Sequence, residues 1–337
     1  MPKISRSSFY FALFLLSLLS FLTSCKVETK ILKKVNLENI PSASGVEVIN
    51  GIIYIIGDDS PYLYCLDHNL KLLEKIELFV SSDFASGRIP KNMKQDLECM
   101  TRIDIQGLPY IFIAGSGANE NREVGYLIKL PTKYNKKHIV KAIDLHGLYS
   151  LLRSNNEISA VGVINLEAAA CNKNHFYLFN RGSLETSNVV LEFNLEEFIV
   201  FLMENEELVP FPKLIHLHLP ELRGMKAGFS GASCDGKYLY VTASVENTSN
   251  AIDDGEVIGS FLGIYEINET TYLRGDLPHS IGKQLSMNLL KDKEDVYLGK
   301  VESITILHKE EENVYSAVAV TDDDLGGSEI LMLELRL

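Results

Sequence analysis

The stretch SGVEVINGIIYIIGDDS, residues 44–60, decides the fold. Glu47 opens a short apolar strand, Asn50-Gly51 turns the chain, and Ile52 to Ile56 runs back to Asp58 and Asp59. Asn-Gly favours a two-residue hairpin because both residues tolerate the positive φ that such a turn demands. Versions of the opening return as Asp96-Leu97-Glu98, Asn165-Leu166-Glu167 and Lys300-Val301-Glu302, while Phe229-Ser230-Gly231 is a copy without the acid. A unit repeated every 50–70 residues or so is a signal of architecture before it is a signal of a site.

Five units share this grammar. The first predicts strands over 45–49, 52–56, 62–66 and 72–78, and the second over 98–105, 109–114, 125–130 and 139–145. The third runs 167–171, 175–179, 188–193 and 214–219, with a short helix over 195–205 where LEEFIVFLMEN is apolar at helical spacing. The fourth has 231–234, 238–243 and 261–267, with a last strand somewhere in 283–298. The fifth has 301–308, 314–320 and 329–335, and a lone strand at 31–37 remains to complete it. Short strands, Gly/Asn/Asp turns and little helix specify an all-β class. Four strands per unit specify a β-propeller of five blades, its ring closed by the N-terminal strand. A sixth, degenerate unit hidden in 268–298 is the alternative.

The N-terminus reads differently. Lys3 and Arg6 precede an apolar run from Phe9 to Phe21, followed by Leu22-Thr23-Ser24-Cys25. A basic start, a short apolar segment and small residues before a cleavage point make a secretory signal over 1–24. The Leu-Thr-Ser-Cys ending resembles the bacterial lipobox, which implies a lipid on Cys25, a tether over 25–30 and one folded domain over 31–337. The expected location is the cell envelope outside the cytoplasm, with the membrane contacted through the lipid. Loss of Lys3 and Arg6 takes the formal charge from −13 to about −15. So acidic a chain, without a Lys/Arg cluster, does not bind nucleic acid. With no Cys-x-x-Cys, Cys65, Cys99, Cys171 and Cys234 read as core thiols, the last three at similar points in successive repeats.

In a propeller each unit's first strand lies innermost, and antiparallel pairing puts its start beside the end of the second. Glu47 is therefore expected beside Asp58 and Asp59, Glu98 beside Ser116, Glu167 beside Asn180 and Arg181, and Glu302 beside Asp322 and Asp323. Ser230 pairs in the same way with Ser244 and Glu246. Together these build an acidic channel mouth. Three arrangements answer the repulsion among its acids: a divalent cation, protons held at raised pKa, or hydrogen bonds consumed within the repeat. A calcium ion on Asp59, Glu98 and Glu167 is the metal reading. Arg181 is the cation expected among the acids, as a counter-ion or as a clamp for an anionic group. The segment 244–260, rich in oxygen donors, is expected to lie over the mouth.

The phrases PSASGVEVINGIIYIIGDDSPYLYCLD, QDLECMT, NLEAAAC and SVENTSNAIDDGEVIGSFLGIYEI resemble a family of bacterial secreted and lipoprotein β-propellers carried as a domain of unknown function. More distantly, the DLE-type openings resemble phytase-like esterase propellers, whose acidic channel holds calcium and phosphate. The reading reached is a lipid-anchored propeller that binds a divalent cation or small polar ligand at its mouth. Calcium-dependent phosphoester hydrolysis and a protein-interaction platform are the alternatives.

Overall fold

The computed structural model describes residues 27–159, 162–182, 188–204, 207–247, 255–267 and 283–337. Five four-stranded antiparallel units are arranged as a five-bladed β-propeller. Blade one is β2 (Ala43–Ile49), β3 (Ile52–Gly57), β4 (Tyr62–Leu66) and β5 (Leu72–Glu77), once β1 (Glu28–Asn36) has passed. Blade two is β6 (Leu97–Ile105), β7 (Leu108–Gly115), β8 (Val124–Lys129) and β9 (Ile139–Asp144). Blade three is β10 (Leu166–Cys171), β11 (His175–Asn180), β12 (Val189–Asn194) and β13 (Lys213–His218). A small hairpin, β14 (Glu221–Leu222) and β15 (Met225–Lys226), leads into blade four, which starts with β16 (Gly228–Asp235), β17 (Tyr238–Asn247) and β18 (Glu256–Glu266). Strand β19 (Lys283–Gln284) joins the edge of blade three in parallel, and β20 (Ser286–Leu289) completes blade four. A second hairpin, β21 (Lys291–Asp292) and β22 (Asp295–Val296), precedes blade five, which is β23 (Lys300–Glu311), β24 (Val314–Asp322) and β25 (Ser328–Arg336).

Strand β1 closes the ring. It pairs antiparallel with β25 from Glu28 opposite Arg336 to Asn36 opposite Glu329, giving blade five its fourth strand. The strand begins earlier than the sequence reading placed it, and Val27 is already buried against blades four and five. The expected signal segment 1–24, Cys25, the stretch 248–254 of the expected mouth loop and 268–282 lie outside the described residues. Among the described residues no helix is long and apolar enough to cross a membrane.

The turns follow their chemistry. Asn50 and Gly51 take φ of 53° and 79°, the paired left-handed geometry expected of Asn-Gly. Most of the core is divided among the blade junctions, in five clusters made by facing residues of two neighbouring blades, such as Tyr54 and Leu63 against Ile111 and Ile113, while a sixth packs blade four against the hairpin before it. At the junction of blades two and three two helices cover the sheet. The expected one is α2 (Leu195–Met203), capped by Asn194, whose side chain accepts from Glu197 N at 3.1 Å. The other, α1 (His146–Arg153), was not expected from the sequence; it inserts Leu148, Tyr149 and Leu152 into the core.

All four cysteines among the described residues are free thiols. Cys65 and Cys99 are buried, as core thiols should be, but Cys171 and Cys234 are half-buried. The latter two line a cavity of about 870 Å³. Cys171 and Cys234 hold equivalent positions in their strands, whereas Cys99 is three residues out of step with them.

Candidate functional site

Each innermost strand carries a β-bulge at the same point of the repeat. The residue left without a partner is Ser44, Glu98, Glu167, Ser230 and Glu302 in blades one to five. A bulge sets two residues against one and re-aims the extra side chain. Here it turns one side chain per blade out of the ladder at the same end of the channel. The two serines are spent on the scaffold: Ser44 Oγ donates to the Leu97 carbonyl at 2.5 Å, and Ser230 Oγ to the Val301 carbonyl at 2.6 Å. The three glutamates are left to form the site.

Glu47 does not belong to this ring. It pairs with Tyr54, three residues beyond the bulge, which carries it toward the other end of the channel. There its carboxylate accepts from Arg102 N at 3.0 Å and Thr305 Oγ1 at 3.1 Å, and it lines the same cavity as Cys171 and Cys234. The expected pairing of Glu47 with Asp58 and Asp59 is therefore corrected: Ser44 takes that place.

The mouth is a mixed ring of carboxyls and cations. Lys94, from the loop before β6, ion-pairs with Asp58 and stands 2.9 Å from Asp96. Asp96 also takes Arg122 and Ser116 Oγ, each at 2.5 Å. On the far side Arg181 meets Glu246 at 2.6 Å, Ser244 Oγ at 3.2 Å and Glu167 at 3.8 Å, while Asn165 donates to Glu167 at 2.5 Å. Lys300 meets Glu302 at 2.8 Å and Glu246 at 3.5 Å. Sequence reasoning expected Arg181 alone; Lys94, Arg122 and Lys300 are additions, as is Asp96.

The remaining expected residues are placed less centrally. Asp59 is buried but turned away, its Oδ2 accepting from Arg88 at 2.5 Å and Ser42 at 3.2 Å. Asn180 Oδ1 accepts from Asn165 N at 3.0 Å, a strand-end bond rather than a ligand position. Asp323 is exposed and consumed by its own turn, accepting from Leu325 N at 2.8 Å and Gly327 N at 2.7 Å. Asp322 is buried at the mouth, near Asp58. Ser116 pairs with Asp96 and not with Glu98.

One cluster stands out. Ligand oxygens of Asp58, Asp96 and Glu98 all lie within 4.8 Å of one another. Of the expected metal set only Glu98 is in it, since Asp59 faces Arg88 and Glu167 faces Arg181 and Asn165. Asp96 sits in the left-handed region at φ 55°, and Ser42, its equivalent in blade one, does so at 45°. Held strain of this kind concentrates where function needs a fixed side chain. No hydrogen bond or ion pair reaches Glu98 among the described residues, and Asp58 Oδ1 and Glu302 Oε2 are buried without a partner.

Burial and crowding set the protonation of the ring. Burial, with Asp96 and Glu167 nearby, pushes the Glu98 carboxyl well above its ordinary range, and burial does the same to Glu302 in spite of Lys300. Burial pushes Asp58 up to about 6 and Asp322 up to about 7. Glu246 goes the other way: burial opposes its charge, but Arg181 and Lys300 hold it down to about 2. Asp96, also against its burial, is held low by Lys94 and Arg122. The mouth thus has an ionised, cation-paired part and a part around Glu98 that holds protons to higher pH.

Comparison with known proteins gives a family. A model described as "Family of unknown function (DUF6929)" matches residues 39–335. No curated protein matches the sequence. Among solved structures, Cellvibrio cellulosa alpha-L-arabinanase aligns over 88% of this chain and 91% of its own at 11% identity and a TM-score of 0.46. Myxococcus xanthus glutaminyl cyclase aligns over 91% of this chain and 96% of its own, with 7% identity and a TM-score of 0.45. The tail fibre of Staphylococcus aureus phage P68 aligns over 95% of this chain, at 11% identity and a TM-score of 0.45; the chain spans 56% of that protein.

Proposed function

The chain belongs to this family of unknown function, and from the chemistry of the mouth we propose that it binds a divalent cation there, calcium foremost. Asp58, Asp96 and Glu98 are the proposed ligands. The observation that carries this reading is three carboxyls converging within 4.8 Å while Asp58 Oδ1 lies buried and unbonded. Hard oxygen donors of this kind suit calcium, which takes six to eight at about 2.3–2.6 Å. Ion entry displaces the Lys94 ammonium from between Asp58 and Asp96 and releases the protons held near Glu98. Water supplies the positions that the protein leaves open, and Glu167, Arg181 and Lys300 face whatever polar group binds beside the ion. Phosphoester hydrolysis has less support, because Arg181, the residue expected to hold phosphate, is committed to Glu246 and Ser244.

The proposal includes the anchor. Leu22-Thr23-Ser24-Cys25 supports lipidation of Cys25, and a body whose first strand starts at Glu28 would then stand close to the membrane outside the cytoplasm. Cys25→Ser should move the protein from the membrane to the soluble fraction.

Calcium binding is tested by melting the purified body against calcium and chelator. Calcium is expected to raise the melting temperature by a few degrees, because a ligand that binds only the folded state stabilises it by mass action. Glu98→Gln is expected to abolish that rise. Melting that ignores both calcium and chelator would overturn the reading.

A further inference from the structure

A second set of metal-binding side chains lies away from the channel, at the rim where blades one and two meet. Strand pairing aligns Tyr54, Cys65 and Glu74 as direct partners across β3, β4 and β5, so their side chains share one face of blade one. His138, immediately before β9 of blade two, comes down on this row. Its Nδ1 stands 3.2 Å from Glu74 Oε2, and the Tyr54 ring meets the imidazole edge-on at 6.2 Å between centroids. Ligand atoms of Cys65, Glu74 and His138 lie within 4.8 Å of one another.

We propose that Cys65, Glu74 and His138 form a zinc-type metal site that ties blade one to blade two. A thiolate, an imidazole and a carboxylate are the donors that zinc combines, and three protein ligands leave a fourth position for water. Calcium, which takes oxygen, is the wrong ion for this set. The independent mark of a missing partner is His138 itself: its side chain is only 10% exposed, yet Nε2 is buried with no hydrogen bond. A buried imidazole nitrogen without a partner is costly unless something binds it. The edge-on Tyr54 ring holds the imidazole in place, as supports around metal-ligating histidines do. Around a zinc with bonds of about 2.0–2.3 Å the donors sit roughly 3.3–3.8 Å apart. His138 and Glu74 already stand 3.2 Å apart and no donor pair exceeds 4.8 Å, so a small closure onto the ion suffices. Glu74 is 56% exposed, and its long side chain can supply that movement. The metal displaces the Cys65 proton to solvent, so uptake releases about one proton per ion.

Cobalt(II) added to the reduced protein is the probe, because a cobalt–thiolate bond gives a near-ultraviolet charge-transfer band. About one ion per chain is expected to produce that band, with visible bands of tetrahedral cobalt, and zinc is expected to bleach both. Cys65→Ala should lose the charge-transfer band. His138→Gln and Glu74→Gln, on loop and half-exposed positions, keep the test open if the buried substitution fails to fold, and each should weaken cobalt binding at least tenfold. None of the three should change the response to calcium at the mouth. A charge-transfer band that survives Cys65→Ala, or affinity unchanged in both His138→Gln and Glu74→Gln, would overturn the site.

Discussion

Ser44 Oγ donates a 2.5 Å hydrogen bond to the carbonyl of Leu97, joining blade one to blade two at the point where blade two offers Glu98 to the channel. Ser230 repeats the contact with Val301, the residue before Glu302. The bulge therefore has two uses: a serine ties its blade to the next, and a glutamate serves the mouth. Both acceptors are buried. Ser44→Ala and Ser230→Ala are each expected to destabilise the body by about 1–3 kcal/mol, because a buried carbonyl loses its partner. The sites lie on non-adjacent blades, so the double variant should show the sum within about 0.5 kcal/mol in urea unfolding. A change under about 0.3 kcal/mol in both single variants would deny the hydroxyls this role.

The Arg181 pair gives a sharper test of the ionised half of the mouth. Arg181 is buried and holds both Glu246 and Glu167. Arg181→Met leaves Glu246 without its closest cation and should cost about 3–5 kcal/mol, the usual penalty for breaking a buried pair from one side. Arg181→Met combined with Glu246→Met removes both charges and should recover much of that loss. Unfolding the two singles and the double measures the coupling directly, and a double variant as unstable as the sum of the singles would mean that the pair does not act as a unit.

The blades were legible because strand periodicity and turn chemistry are local. Asn50-Gly51 marks its hairpin wherever it stands, and the short apolar runs on either side of it need no tertiary knowledge. The register between blades was not legible from the acids. Glu47 looks like Glu98 in a strand-opening phrase, but one bulge residue decides which side chain leaves the ladder, and three residues separate the two positions. A better signal was in the sequence: Ser44-Gly45 matches Ser230-Gly231, and that match aligns the two bulges. The cations of the mouth were hidden for another reason. Lys94 and Arg122 come from segments outside the repeated strands and reach Asp96 only after the chain folds. Lys300 and Asp96 occupy the same place two residues before the bulge, so one repeat position carries opposite charges in different blades.

Protonation of the mouth should appear in the pH dependence of stability. Burial raises Asp58 from 3.8 to about 6 and Asp322 from 3.8 to about 7. Between those limits the folded chain holds protons that the unfolded chain has released, so stability falls as pH rises through about 4 to 7. Glu98 and Glu302 are raised for the same reason and add to the fall. Glu246 has the opposite sign: lowered from 4.5 to about 2, it contributes stability that is present above its unfolded value and lost as pH drops toward 2. Without calcium the melting temperature should therefore be highest at about pH 4 or just below, by this balance of signs, and decline toward neutrality. Saturating calcium should flatten the decline, because the ion takes the place of the protons. Melts from about pH 4 to 8 with and without calcium decide it, and a calcium-free melting temperature that climbs steadily with pH would sink the proton-holding picture.

The closing strand sets the last expectation. β1 lies along the whole of β25, and the buried residues Leu331, Leu333 and Leu335 of β25 share a core cluster with Val27. Val27 also accepts a hydrogen bond from Asn288 of blade four through its carbonyl. A chain starting at Val27 keeps all of this and should melt like the parent. One starting at Leu37 loses the fourth strand of blade five and leaves β25 as a bare edge over exposed leucines, a template for aggregation. It should precipitate or lose cooperative unfolding. A peptide of residues 27–36 added in trans should restore the melt, since a free edge accepts a matching strand through its main-chain bonds. Had β1 been a dispensable tether, the Leu37 start would melt within a few degrees of the parent and the peptide would change nothing.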